Sequence, residues 1–152
     1  MNVLNTIDCV SLGIKGPNAA IWLQQQGIPI PESANTWLMH PSGYVLRLGQ
    51  GEFLIEGAAT TQLHKALENK VTGVYFVPRA YVAFELSGAG AKDMMAQICA
   101  LNTTELLLDN ALLMTQVAGV SAILINDSNR YRFWCDVSYQ DYIEHTLSNI
   151  TE

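Results

Sequence analysis

The chain has 152 residues and a mass of 16.7 kDa, a length that suits one domain, residues 1–152, able to bury about two-thirds of its unfolded surface. Only 14% of its residues are charged while 49% are hydrophobic, against about a quarter charged in ordinary soluble domains, so either the core is large or apolar surface meets a partner. Fourteen acids against eight scattered bases give a net charge of −6 and a pI near 4.9, which argues against a nucleic-acid or membrane partner.

Cys9, Cys99 and Cys135 are widely spaced, with no C-x-x-C pair and no Cys/His cluster. That pattern predicts buried thiols rather than a disulfide framework or a zinc site. The first residues lack the basic start and apolar run of a secretion signal, and no apolar run approaches ~20 residues. A soluble, reducing, cytoplasmic setting is the expectation.

In chain order, Cys9–Ile14 reads as a strand ending at the turn Lys15-Gly-Pro-Asn18. A helix from Pro17 to Gln26 follows, since proline fits the first helical turn and Gly27 stands where a helix stops. Pro29, Pro31 and Ser33 carry an extended link. Gly43–Leu48 and Glu52–Glu56 then form a hairpin, and Thr60 or Thr61 caps a helix to about Asn69. The second half runs through strands at Gly73–Val77 and Arg79–Leu86, broken at Pro78, and a helix after Gly88 to about Ala100. Leu112–Val117, Ser121–Ile125 and Tyr131–Val137 are further strand candidates. Ser138 caps a closing helix with Tyr142, Ile143 and Leu147 turned inward.

Setting Gly88 on Gly16 also sets Leu86 on Ile14, Ala91 on Ala19 and Met94-Met95 on Trp22-Leu23. The register predicts an internal repeat, approximately 7–70 and 73–150. The fold class that follows is α+β, with duplicated strand-helix-strand-strand-helix units forming mainly antiparallel sheets and helices outside.

The segments Gly13–Leu23, Arg47–Ile55 and Ala83–Ala91, with the closing Tyr131–Leu147, resemble the gamma subunit of heterotetrameric sarcosine oxidase. That subunit is similar to the folate-binding domain of the glycine-cleavage aminomethyltransferases. The resemblance implies a tetrahydrofolate-domain-like fold that packs against larger subunits in sarcosine and one-carbon metabolism. It places FAD, FMN and NAD in those partner subunits, with oxidation at a CH–NH group as the chemistry of the complex. Two departures count against catalysis by this chain alone. The Asp-Leu-Ser-His run of relatives is replaced by Phe76-Val-Pro-Arg79, and the strand after the second hairpin's glycine, where aminomethyltransferases place an acid, reads Val120-Ser-Ala-Ile-Leu124, with no carboxylate before Asp127. Methylene transfer on a folate calls for a carboxylate near the amine or pterin.

No catalytic residue and no metal set is predicted. Gly88-Ala-Gly-Ala-Lys-Asp93 has the setting of a dinucleotide turn, but an acid stands at the third glycine position, so a tight turn with a helix start is the reading. Arg79 could grip a carboxylate of a folate tail or a partner, or pair with Glu85. Glu52 falls where aminomethyltransferases keep a glycine-acid turn that shapes the folate pocket. Trp22, Trp37, Trp134, Tyr44, Tyr75 and Tyr131 could stack a pterin or fill the core. Two functions stay open. One is a non-catalytic gamma-like subunit that binds larger subunits or self-associates. The other is a stand-alone tetrahydrofolate or one-carbon carrier-binding protein, with a pocket between the repeats and Arg79 and Glu52 at its edge.

Overall fold

A computed structural model describes residues 2–40 and 43–151. The chain forms two compact units, one of residues 9–79 and the other of 80–152 together with the first eight residues. Each is built on a five-stranded, wholly antiparallel sheet.

In the first unit the chain runs β2 (Ser11–Lys15), α1 (Ala19–Gln25), β3 (Thr36–His40), β4 (Gly43–Gly49), β5 (Glu52–Glu56), α2 (Ala59–Ala66) and β6 (Tyr75–Val77), in the sheet order β3-β4-β5-β2-β6. Alternation sorts the strand residues. Leu12, Ile14, Val45, Phe53 and Ile55 face one side, and Trp22 and Leu23 of α1 and Leu63 of α2 close over them as one core. Arg47 pins the extended link. Its Nη1 donates to the Pro31 carbonyl and its Nη2 to the Gln50 carbonyl, each at 2.8 Å, while the guanidinium lies 5.3 Å from the Phe53 ring centre.

In the second unit β1 (Val3–Ile7) pairs with β7 (Tyr81–Ser87), followed by α3 (Ala91–Ile98), the single turn α4 (Thr103–Leu106), β8 (Leu113–Val117), β9 (Val120–Asp127), β10 (Arg130–Asp136), a short 3-10 helix (Val137–Tyr139) and α5 (Gln140–Thr151). The sheet order is β1-β7-β10-β9-β8. Phe84 stacks on Phe133 at 5.3 Å, and Met95, Ile143 and Leu147 seal that face.

The two sheets have one and the same order. In each, counted from β1 or β6, the strand before the glycine turn and helix lies second, and the remaining strands follow as fourth, third and second of the run. The outermost strand precedes the opposite run in sequence: β1 joins the sheet of β7, and β6 joins the sheet of β2. The mixed α+β class with antiparallel sheets is as expected, but three strands, not two, separate the helices in each run. The strand not expected between the helices is β3, whose Trp37 is buried; β1, outside both runs and also not expected, lies in a stretch with no clean alternation.

Helix ends differ from expectation in three places. Thr60 does not cap α2, which starts at Ala59 with Ala58 ahead of it; the Thr60 hydroxyl donates to the Gly57 carbonyl at 2.7 Å. Asp136, not Ser138, caps the closing helical segment, its carboxylate accepting the Ser138 N–H at 2.9 Å. Tyr142 does not turn inward. It is 49% exposed, and its hydroxyl donates to the Ala118 carbonyl at 2.8 Å, because Ile143 and Leu147 already fill the buried stripe of α5.

Candidate functional site

Glu52 opens β5 beside the bulge between Arg47 and Gly49, opposite Lys15 of β2. Arg79 lies just past β6, beyond Pro78, which ends the ladder for want of an N–H. Gly13, between them on β2, is opposite Val77. A Cβ there would stand 2.6 Å from the Val77 carbonyl oxygen and 3.0 Å from Cγ of Arg79. Glycine therefore clears a path across β2 for the arginine stem, whose Nη2 donates to Glu52 Oε1 at 2.9 Å. The two residues singled out in the sequence meet as one ion pair, with side chains 31% and 29% exposed.

Glu85 is not the partner of Arg79. It is engaged by Arg130 at 3.5 Å and Arg132 at 3.3 Å on the neighbouring strand β10, and Arg130 also reaches Asp127 at 3.7 Å. The buried Arg132 lies with its guanidinium 5.3 Å from the Trp134 ring centre. Cross-strand register sets this network: Glu85 stands opposite Arg132, and Asp127 opposite Arg130.

Of the six aromatics considered as pterin stackers, Trp22, Trp37, Tyr44, Tyr131 and Trp134 are buried. Trp37 and Tyr44 pack edge to face at 5.6 Å. Tyr75 alone among them is exposed, at 61%. Three pockets of the first unit, of about 280, 250 and 340 Å³, lie around α1, α2 and β6, and neither Arg79 nor Glu52 lines any of them. The pocket of about 340 Å³ is lined by the carboxylate of Glu68 beside the exposed rings of Tyr75 and Phe76.

The glycine turns are structural. Gly16 has φ 141°, and a Cβ on it would sit 2.1 Å from the Gly73 carbonyl oxygen. Gly88, its counterpart, has φ 114°. At the dinucleotide-like turn the Gly90 N–H donates to Asn2 Oδ1 at 2.7 Å, and a Cβ on Gly90 would meet that same side chain at 2.6 Å. The amide that would face a pyrophosphate is thus held by the chain itself. Asn18 does the matching work in the first unit, its Nδ2 donating to the Thr72 carbonyl at 2.9 Å.

Cys99 and Cys135 are buried and Cys9 is partly so; none is in a disulfide. Burial, reinforced by the neighbouring Asp136 charge, pushes the Cys135 thiol up to about 11. No cluster of three metal-ligating side chains occurs among the described residues. No helix of the described residues is long and apolar enough to cross a membrane.

No family model matches the chain, and no curated protein matches it. Among solved structures it is similar to a chain of heterotetrameric sarcosine oxidase from Corynebacterium sp. U-96 in complex with pyrrole 2-carboxylate. The TM-score is 0.75 and the identity 20%, over 95% of this chain and 80% of that one. It is also similar to glycine cleavage system aminomethyltransferase T from Bartonella henselae, with a TM-score of 0.68 and 15% identity, over 96% of this chain. The match spans 45% of that enzyme, less than half its length. Identities this low carry the fold alone, and the fold is the one these two proteins share.

Proposed function

We propose that the chain is a non-catalytic, gamma-like subunit of a sarcosine-oxidase-type flavoenzyme complex, acting through protein contact with larger chains that hold FAD, FMN and NAD. One observation carries the reading: the Arg79–Glu52 pair is charge-compensated and lines none of the three pockets, in a fold shared with a chain of a heterotetrameric oxidase. A ligand carboxylate approaching Arg79 would have to displace Glu52 or share the guanidinium with it. On this reading the pair ties β5 to the end of β6, and the two matching sheets descend from a duplicated unit joined by exchange of their outer strands. Three thiols outside disulfides suit a reducing compartment such as the cytoplasm.

Calorimetric titration of the pure chain with tetrahydrofolate tests the choice between subunit and carrier. The subunit reading expects no saturable heat. Binding at micromolar strength or tighter, abolished in Arg79→Ala, would favour the folate-carrier function instead.

A further inference from the structure

Between Lys92 and Arg130 the sequence carries no lysine, arginine or histidine, while Asp93, Glu105, Asp109 and Asp127 fall in that run. In its middle, residues 101–110 form a short platform around α4. Asn102 stands ahead of the turn, its Nδ2 donating to Glu105 Oε2 at 3.3 Å. The Leu106 and Leu107 N–H groups donate to the Asn102 and Thr103 carbonyls at 3.0 and 3.1 Å. Thr103 and Leu107 are buried, and Leu107 belongs to the core of its unit. Asp109 and Asn110 then take the left-handed conformation, with φ 55° and 60°, and the Ala111 N–H donates to the Leu108 carbonyl at 3.0 Å before β8 begins. Asp and Asn adopt that conformation more readily than other residues with a side chain. The platform is thus anchored from both ends and from below.

What it holds outward is apolar. Leu101 is 40% exposed, Leu106 43% and Leu108 61%, although Leu107 and Leu112 beside them are buried. Leu101 and Leu106 flank the start of α4 at the spacing at which apolar side chains commonly meet over a helix cap. Leu106 and Leu108 stand on either side of the inward Leu107. The only charged residues of the platform are Glu105 and Asp109, both exposed. The surrounding unit, residues 80–152 with the first eight, holds ten of the 14 acids and three of the eight bases. Two of those bases, Arg130 and Arg132, are engaged by Glu85, which leaves Lys92 at the start of α3. Exposed leucines bordered by carboxylates therefore sit in a field of one sign.

We propose that Leu101, Leu106 and Leu108 form a docking platform for a segment of a different protein chain, one whose apolar side chains are flanked by lysine or arginine. The leucines lose their water against the apolar side chains, and Glu105 and Asp109 meet the flanking cations. Charge complementarity selects this occupant: a second copy, of net charge −6, would be repelled. The anchoring of the platform lowers the ordering cost of binding. The proposal deepens the subunit reading and rests on it only for the existence of a partner.

The test uses the full chain and a short synthetic amphipathic peptide of leucine and lysine, with the same peptide carrying glutamate for lysine as its control. Amide chemical shifts are expected to move at residues 101–110 with the lysine peptide, with affinity falling as salt is raised, and not to move with the glutamate peptide. The double substitution Leu106→Ser with Leu108→Ser, at two exposed positions, should cost about tenfold or more in affinity. Glu105→Lys with Asp109→Lys should reverse the preference between the two peptides. Shifts spread over the acidic unit or confined to other surfaces, an affinity unchanged by the leucine substitutions, or no binding would overturn the proposal. So would a dilution-dependent mass abolished by those substitutions, which would assign the platform to a second copy of this chain. If the peptide fails while the chain still co-migrates with larger flavin-bearing subunits, the surface is wrong and the subunit reading stands. If the peptide binds as expected and no such assembly forms, the platform stands and the subunit reading falls.

Discussion

Arg79 and Glu52 are 27 residues apart in sequence and 2.9 Å apart in space. About a third of each side chain is open to solvent, and such pairs contribute roughly 0–1 kcal/mol. A double-mutant cycle of Arg79→Ala and Glu52→Gln, read by urea unfolding, should give a coupling below about 1 kcal/mol. A larger coupling would mean that the pair sits in a drier setting than its exposure implies. Arg79 stands out in the sequence within a segment that departs from the resembled family, and Glu52 where that family keeps an acid after a glycine. Their meeting was not legible, because it depends on a missing side chain at Gly13, on a strand between them. Cys135 gives a second prediction at this scale. With its thiol near 11, only about one molecule in a thousand carries the thiolate at pH 8, and burial shields it further. Native-state alkylation should label the partly buried Cys9 first and leave Cys135 unmodified until the chain unfolds. Rapid labelling of Cys135 would contradict the core placement.

At the scale of elements, the glycine turn was the most legible feature. Ile14 and Leu86 are both fully buried, as are Leu23 and Met95, so the register that aligned them in sequence also aligns their burial. The strands β1 and β3 were less legible. β1 has only partly buried residues on its inner side, and β3 carries the exposed Met39 and the half-buried His40, so neither shows clean alternation. Gly16→Ala should destabilise by about 2 kcal/mol or more, because a positive φ and a carbonyl collision act together. Gly27→Ala should cost only about 1 kcal/mol, since its φ is 80° but nothing stands within 4 Å of the added Cβ. Equal losses at the two positions would show that the Gly73 contact is not needed. At the other end of the chain, hydrogen bonds from Ser138, its backbone first and its side chain second, hold Asp136 below the usual carboxylate range. A depressed carboxylate stabilises the folded state above its unfolded pKa, and that contribution fades as pH falls through the folded value. Asp136→Ala should therefore lower the urea midpoint at neutral pH, with the deficit shrinking as the medium becomes acidic. A deficit independent of pH would assign the effect to helix propensity alone.

For the whole molecule, charge is unevenly shared. The unit of residues 9–79 holds five of the eight bases and only four of the 14 acids, so the excess of acid belongs to the other unit. Summed charge of this kind governs which partner surfaces are attracted and how salt acts on association. The low overall charge content points to either a large core or exposed apolar surface, and Tyr75 and Phe76 place exposed apolar side chains on the outer strand of one sheet. What composition could not give was the exchange of outer strands, β1 into the sheet of β7 and β6 into that of β2, since short strands far apart in sequence carry no local signal of their pairing. That exchange makes the N-terminal strand integral to its sheet. Deleting residues through Ile7 should expose the edge of β7 and lower the unfolding midpoint or cause aggregation, as followed by thermal denaturation with light scattering. An unchanged midpoint would show that β1 is dispensable.

The most direct test of the subunit reading is the mass and absorbance of the tagged chain recovered under gentle conditions from its own cells, by size-exclusion chromatography with light scattering. The account predicts a particle several times the 16.7 kDa of the chain, with flavin absorbance co-eluting with it. A colourless particle of the monomer's mass would contradict it and return the reduced-folate carrier to first place.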